Sequence, residues 1–174
     1  MKIGLSPEFH RSLGLFHAAW AAMELTLDYM IGQFLKIPYE ETHRLVAGIE
    51  MGRKIRILES LLQRNDHKNK SALIGALRRI QNESKRNVLV HSLIWSDHEM
   101  IVFINRSFGQ QYEAKKHTFT LPEFEKHVEQ FILDATKFYE AACLEDAALQ
   151  AFGEAAISAI SNSNTSPGPP SSSA

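Results

Sequence analysis

The sequence predicts an all-α fold, a bundle of four to five helices with a small β-hairpin inserted before the last long helix. Three observations lead there. Apolar residues recur at alternating steps of three and four over most of the first 95 positions. Strict two-residue alternation is confined to two short runs between residues 100 and 120. Helical spacing then resumes and ends in a serine and proline run.

Pro7 opens a long first helix in which Leu13, Phe16, Trp20, Met23, Leu27, Met30 and Phe34 form a packing seam. Lys36-Ile37-Pro38 ends it, because the residue before a proline is pushed out of the helical region. Tyr39 to Ile49 reads as a short second helix, and Arg53 to Gln63 as a third with Ile55, Leu58 and Leu62 on one side. After a polar loop at residues 64–71, a fourth helix runs from about Ser71 to Trp95. Its stripe begins with Leu73, Leu77 and Ile80 and turns polar through Ser84, Asn87 and His91. Alternation at Met100 to Asn105 and Glu113 to Thr120, around a turn with Gly109, predicts the hairpin, about residues 99–120. Thr120-Leu121-Pro122-Glu123 has the cap, early proline and acidic first turn of a helix start. Phe124, Val128, Phe131, Ala135, Phe138 and Ala142 give that helix its seam, and an alanine-rich continuation extends it to about Ile160. Residues 1–160 thus read as one domain, and Ser161 to Ala174 as a disordered tail with nothing to bury.

The chain has 174 residues, 44% of them apolar, and a single cysteine, Cys143. One thiol excludes an internal disulfide framework and a thiolate cluster for zinc, and free cysteine usually serves as core filler. Met1 to Pro7 lacks the basic and then apolar run of a signal peptide, and no stretch is long enough to span a bilayer, so a cytoplasmic protein is expected. Net charge is -1, but its distribution is uneven. Residues 51–86 hold ten lysines and arginines against three acids, a basic block that a polyanion would prefer.

At the end of that block stands Lys85-Arg86-Asn87-Val88-Leu89-Val90-His91, an arginine, an amide and a histidine in an otherwise apolar helix. Polar groups in such a place must be hydrogen-bonded, paired or put to chemical use. On a regular helix Asn87 and His91 share a face one turn apart, so the amide can orient the imidazole. Arg86 and His91, five positions apart, diverge by about 140 degrees. Their convergence then requires arginine's reach, a local distortion, or a second copy of the helix in a two-fold dimer. The bare spacing says little, since Arg11 and His17 match it too. The context of the second match distinguishes it.

Arg86-Asn87-Val88-Leu89-Val90-His91 resembles the arginine, polar residue and histidine signature of HEPN domains, and the helical order with a late motif helix is similar to that fold. Trp20 and Glu24 in the first helix and Lys54 in the helix before the motif also look like small single-domain bacterial members. The resemblance covers roughly Leu5 to Glu145, with the hairpin as an insertion. It implies a metal-independent endoribonuclease without cofactor, often a toxin or antiphage effector, whose composite site forms across a homodimer and which an antitoxin protein can neutralise. Arg86, His91 and Asn87 would then be catalytic, and Arg53, Lys54, Arg79, Lys85 and Trp95 would bind RNA. A histidine can take a proton from a ribose 2′-hydroxyl, and an arginine can hold the phosphate as negative charge builds on it.

Three alternatives compete. Arg86 could pair with Glu83, bracketed by Arg79, leaving His91 as a satisfied core histidine in a structural dimerisation module. Glu40 and His43 have the spacing of a carboxylate and histidine pair for metal, but dinuclear bundles need a second such pair. His67, His98, His117 and His127 read as solvent-facing. A noncatalytic member of the same fold could bind RNA, a nucleotide or a protein through the same stripe.

Overall fold

The computed structural model describes residues 5–108 and 112–163. Among them are seven helices, α1 (Pro7–Leu35), α2 (Tyr39–Val46), α3 (Met51–Arg64), α4 (Lys70–Glu83), α5 (Arg86–His91), α6 (Leu121–Ala142) and α7 (Asp146–Ser163). One antiparallel sheet, ordered β1-β2-β3, is formed by β1 (Leu93–Asp97), β2 (Met100–Phe108) and β3 (Tyr112–Thr120). The protein is therefore mostly helical, as predicted, but with more helices than four to five and one more strand than a hairpin. The Gly109 turn and the tail from residue 164 onward lie outside the described residues. Within them, helix α7 extends to Ser163, past the predicted start of the tail.

The differences share a cause. The predicted fourth helix breaks at Lys85 (φ 49°) and the predicted last helix at Cys143 (φ 52°), both left-handed without being glycine. Left-handed backbone costs an ordinary L-residue about 1–2 kcal/mol, so helices normally signal such ends with glycine. Beyond the first break, Ile94 and Trp95 lie in a strand rather than a helix, because β2 offers them a ladder from Leu93↔Ile104 to Asp97↔Met100. A two-residue turn with His98 left-handed (φ 55°) closes that hairpin. Cys143, expected in the core, is exposed.

The chain divides into two compact units. Among the described residues the first comprises 5–23, 67–108 and 112–142, and thus the start of α1, helices α4 to α6 and the sheet. Its core is aromatic: Phe9 lies 5.0 Å from Phe124, Phe16 4.7 Å from Phe131, and Phe103 5.8 Å from both Phe119 and Phe124. Leu73, Leu77 and Ile80 of α4 are fully buried, as the seam predicts. Helix α6 starts with a reciprocal capping box, in which the Thr120 amide donates to Glu123 Oε2 (2.8 Å) and the Glu123 amide to Thr120 Oγ1 (3.4 Å). The bonds that the Thr120 amide and hydroxyl donate to it hold the Glu123 carboxyl below its usual range.

Among the described residues the second unit comprises 24–66 and 143–163, with the remainder of α1, helices α2, α3 and α7. Leu27, Ile31, Ile55, Leu58, Leu62 and Phe152 form its core. Phe152 is boxed by Tyr29 and Tyr39, both 5.5 Å away, and by His43, stacked at 3.9 Å. At Gly32 a Cβ would run into the buried Thr42 side chain, which itself donates to the Pro38 carbonyl (2.9 Å). Glycine is therefore required where α1 meets α2. Gly32→Ala should destabilise the protein by roughly 1–3 kcal/mol, as overpacking does; a urea unfolding curve with an unchanged midpoint would refute that close approach.

Candidate functional site

The break at Lys85 positions the motif. Lys85 acts as the cap of α5: its carbonyl accepts the Val88 and Leu89 amides at 2.9 and 3.0 Å. Its left-handed backbone turns the chain out of the line of α4, and neighbouring elements hold the turn from two sides. His127 of α6 donates from Nε2 to the Ser84 carbonyl (3.1 Å), satisfying a group that a helix end leaves open. The Lys85 ammonium sits 4.9 Å above the Phe119 ring of β3. Buried Leu89 anchors the short helix, and Asn105 of β2 donates from Nδ2 to the Asn87 carbonyl (3.0 Å). Six residues that would scarcely hold a helix alone are thus pinned at both ends.

On this platform Arg86 and His91 converge within one chain. Arg86 Nη1 lies 2.9 Å from His91 Nε2 and 3.3 Å from Asn87 Oδ1. Of the three routes by which the two could converge, arginine's reach is the one found: α5 is barely a turn and a half long, and Arg86 spans it. Asn87 bonds the arginine rather than the imidazole. A guanidinium only donates, so Nε2 accepts, and the neutral ring in this arrangement carries its proton on Nδ1. Asn87 and His91 are exposed, which overturns the predicted polar packing stripe; of the three polar positions only Ser84 is buried.

Arg86 itself is half-buried. Its guanidinium carbon lies 5.6 Å from the Trp20 ring, a cation–π arrangement, and Trp20 is stacked in turn on Phe131 at 5.6 Å. Arg86 Nε is among the few buried side-chain atoms of the described residues without a hydrogen-bond partner. A charged donor held dry on an aromatic floor, with its outer nitrogen exposed beside an imidazole, suits anion binding more than stability.

The proposed RNA-binding residues divide. Lys85 is exposed and Trp95 half-buried, both next to the motif in sequence. Arg79 is engaged with the buried carboxylate of Asp134 (3.1 Å), whose other oxygen accepts from Gln130 (3.1 Å), so Arg79 does not bracket Glu83. Arg53 is exposed on α3 in the second unit. Lys54 requires correction: it is buried, and Nζ donates to Glu24 Oε1 (2.9 Å) and Asp28 Oδ2 (2.8 Å), leaving no charge to offer a polyanion. Burial opposes its charge, yet the bonds to Asp28 and Glu24 hold its pKa above the ordinary lysine range. Burial raises the Asp28 carboxyl against the pull of Lys54.

Two contributors escaped the sequence reading. Asn105 falls on the strand parity of buried Ile101 and Phe103, so an amide there signalled an inward task. His127, expected to face solvent, lies one turn from Phe124 and Phe131 and is half-buried; burial depresses its pKa, and nearby Lys85 adds to the effect. His43 donates from Nε2 to the Phe152 carbonyl (2.8 Å), and Glu40 lies 3.9 Å from Arg44, so that pair is occupied structurally. Among the described residues no three histidine, cysteine or acidic side chains are grouped to hold a metal ion, and no helix is long and apolar enough to cross a membrane.

Compared with family models, curated proteins and solved structures, the chain gives no match to any of the three.

Lys54→Met should destabilise the protein by about 3 kcal/mol, because it strands the buried Asp28 carboxylate beside the half-buried Glu24, and adding Glu24→Gln and Asp28→Asn should recover most of the loss. Urea unfolding of the single and triple variants tests this, and equal stability of both would contradict the ion cluster. His127, with a depressed folded-state pKa, binds its proton more tightly when unfolded. Its contribution is therefore complete above the ordinary value of 6.5 and is lost as pH falls through the lower folded value. The wild type should lose stability below about pH 6.5 more steeply than His127→Gln; parallel pH profiles would count against this role.

Proposed function

We propose that the protein is an endoribonuclease that cleaves RNA by internal attack of a ribose 2′-hydroxyl, with Arg86 and His91 as the catalytic pair. The observation that carries this reading is the 2.9 Å approach of Arg86 Nη1 to an exposed, accepting His91 Nε2. A phosphate oxygen held by that guanidinium lies within a few ångströms of a base. His91 Nε2 takes the 2′-hydroxyl proton, O2′ bonds to phosphorus, and the bond to O5′ breaks as that oxygen gains a proton. The product is a 2′,3′-cyclic phosphate and a free 5′-hydroxyl. Arg86 neutralises the charge that gathers on the phosphoryl oxygens, and Asn87 steadies Arg86. None of these steps calls for a metal ion.

The resemblance to HEPN domains supports the same reading and adds a homodimer, in which the partner's histidine would serve as the acid. A cytoplasmic toxin or antiphage effector, restrained by an antitoxin, is the setting that this resemblance suggests. One chain already pairs Arg86 with His91, so the dimer rests on the resemblance. One observation favours a second reading, a noncatalytic RNA-, nucleotide- or protein-binding module: Nη1 occupies the nitrogen that a base must keep open.

Incubating labelled RNA with wild type, Arg86→Ala and His91→Ala in EDTA separates the two. Wild type should yield cyclic-phosphate ends, and each variant should lose about 100-fold or more of the rate. Equal cleavage by all three, or RNA binding without cleavage by wild type, would reject the nuclease.

A further inference from the structure

We propose that Trp20 is a positioning residue for the site: its indole holds the Arg86 guanidinium in place without neutralising it. The inference rests on the reading of Arg86 as the phosphate-holding group and adds what keeps that group both fixed and charged. Inward-turned cations of this chain are held in different ways. Lys54 is bound by Glu24 and Asp28, and Arg79 by Asp134, so each is neutralised inside the fold. Arg86 has no carboxylate partner among the described residues. Its contacts are His91 Nε2, Asn87 Oδ1 and, 5.6 Å from the guanidinium carbon, the Trp20 ring.

The difference matters because a carboxylate and a phosphate compete for the same donors. An arginine already paired with an acid offers an arriving anion little unbalanced charge. A ring face attracts the cation through its quadrupole and leaves the net charge whole. The Asn87 amide oxygen and the neutral His91 ring likewise orient the outer nitrogen without cancelling its charge.

The presence of tryptophan at this place points the same way. Trp20 is buried and lies nearly parallel to two core rings, Phe16 (6.2 Å, 27° between planes) and Phe131 (5.6 Å, 21°). Its Nε1 is buried without a hydrogen-bond partner. A buried indole N–H ordinarily finds one, and leaving it unpaired costs stability. Packing alone would favour phenylalanine or leucine, which fill a core without an orphaned donor. Tryptophan supplies instead the strongest cation–π face among the natural side chains, and the two phenyl rings fix the angle at which it is presented. Arg86 Nε is also buried and unpartnered, so the inner edge of the guanidinium has no bond to hold it and the ring is what it rests on. Being buried, Trp20 touches no substrate, and its whole effect on the site passes through Arg86.

The test grades the electrostatics of the ring while keeping its size. In a Trp95→Phe background Trp20 is the only tryptophan of the chain. Biosynthetic replacement by tryptophans with an increasing number of ring fluorines then weakens the negative face stepwise. The urea unfolding midpoint is measured for each protein, together with its affinity for a single-stranded 2′-O-methyl RNA, which cannot undergo internal attack. Affinity should fall stepwise with fluorine, by about tenfold in all, the equivalent of one desolvated cation–π contact, while the midpoint stays unchanged. In Arg86→Ala the same series should be flat, because the group through which the ring acts is gone. Affinity indifferent to fluorine would overturn the proposal, as would a fluorine dependence that persists in Arg86→Ala or that follows the unfolding midpoint. Failure of the unlabelled protein to bind the RNA would overturn it too. Because the probe is uncleavable, the outcome is separate from catalysis. A graded loss of affinity that needs Arg86 stands even if no cleavage is found, and cleavage that needs Arg86 and His91 stands even if fluorine has no effect.

Discussion

Lys85 holds a left-handed backbone without the conformational freedom of glycine, and the groups around it explain how. His127 occupies the Ser84 carbonyl, Phe119 lies under the Lys85 ammonium, and the Lys85 carbonyl starts the next helix. Each of these contacts is modest, on the order of 1 kcal/mol, yet together they match the cost of the strained residue. Everything distinctive about the site depends on that reversal. Without it α4 would continue in line, and the residues of β1 would have no ladder to join.

The two compact units use different chemistry to the same end. One is held by an aromatic core running from Phe9 and Phe16 through Phe103 to Phe138. The other combines an aliphatic core with a buried lysine between two carboxylates, where removing a single member leaves uncompensated charge. The motif sits in the aromatic unit, and its arginine rests on one of that core's own rings, so the floor of the site and the core are the same material.

Much of the fold was legible in the sequence, for reasons that also explain the failures. The seam of α1, the stop before Pro38 and the capping box at Thr120 follow from periodicity and local hydrogen bonding, which a sequence displays directly. The ends at Lys85 and Cys143 carry no glycine, so nothing local announced them. Strand β1 was hidden because Ile94 continued the helical spacing of the preceding stripe, and only pairing with β2 reveals its state. The candidate site was legible as a set of residues, Arg86, Asn87 and His91, but not as a geometry. Lys54 was misread as surface charge, although its place four residues before Leu58 put it on the buried side of α3.

The bond between Arg86 and His91 means that the free protein already carries a ligand of its own in the guanidinium's outer position. An arriving anion gains only the difference between its own bond to Nη1 and the one it displaces, a near-even exchange of charge-assisted hydrogen bonds. On the proposed function, a small anion such as inorganic phosphate must displace the imidazole before it can bind Nη1, and a longer ligand can offset that cost with contacts elsewhere.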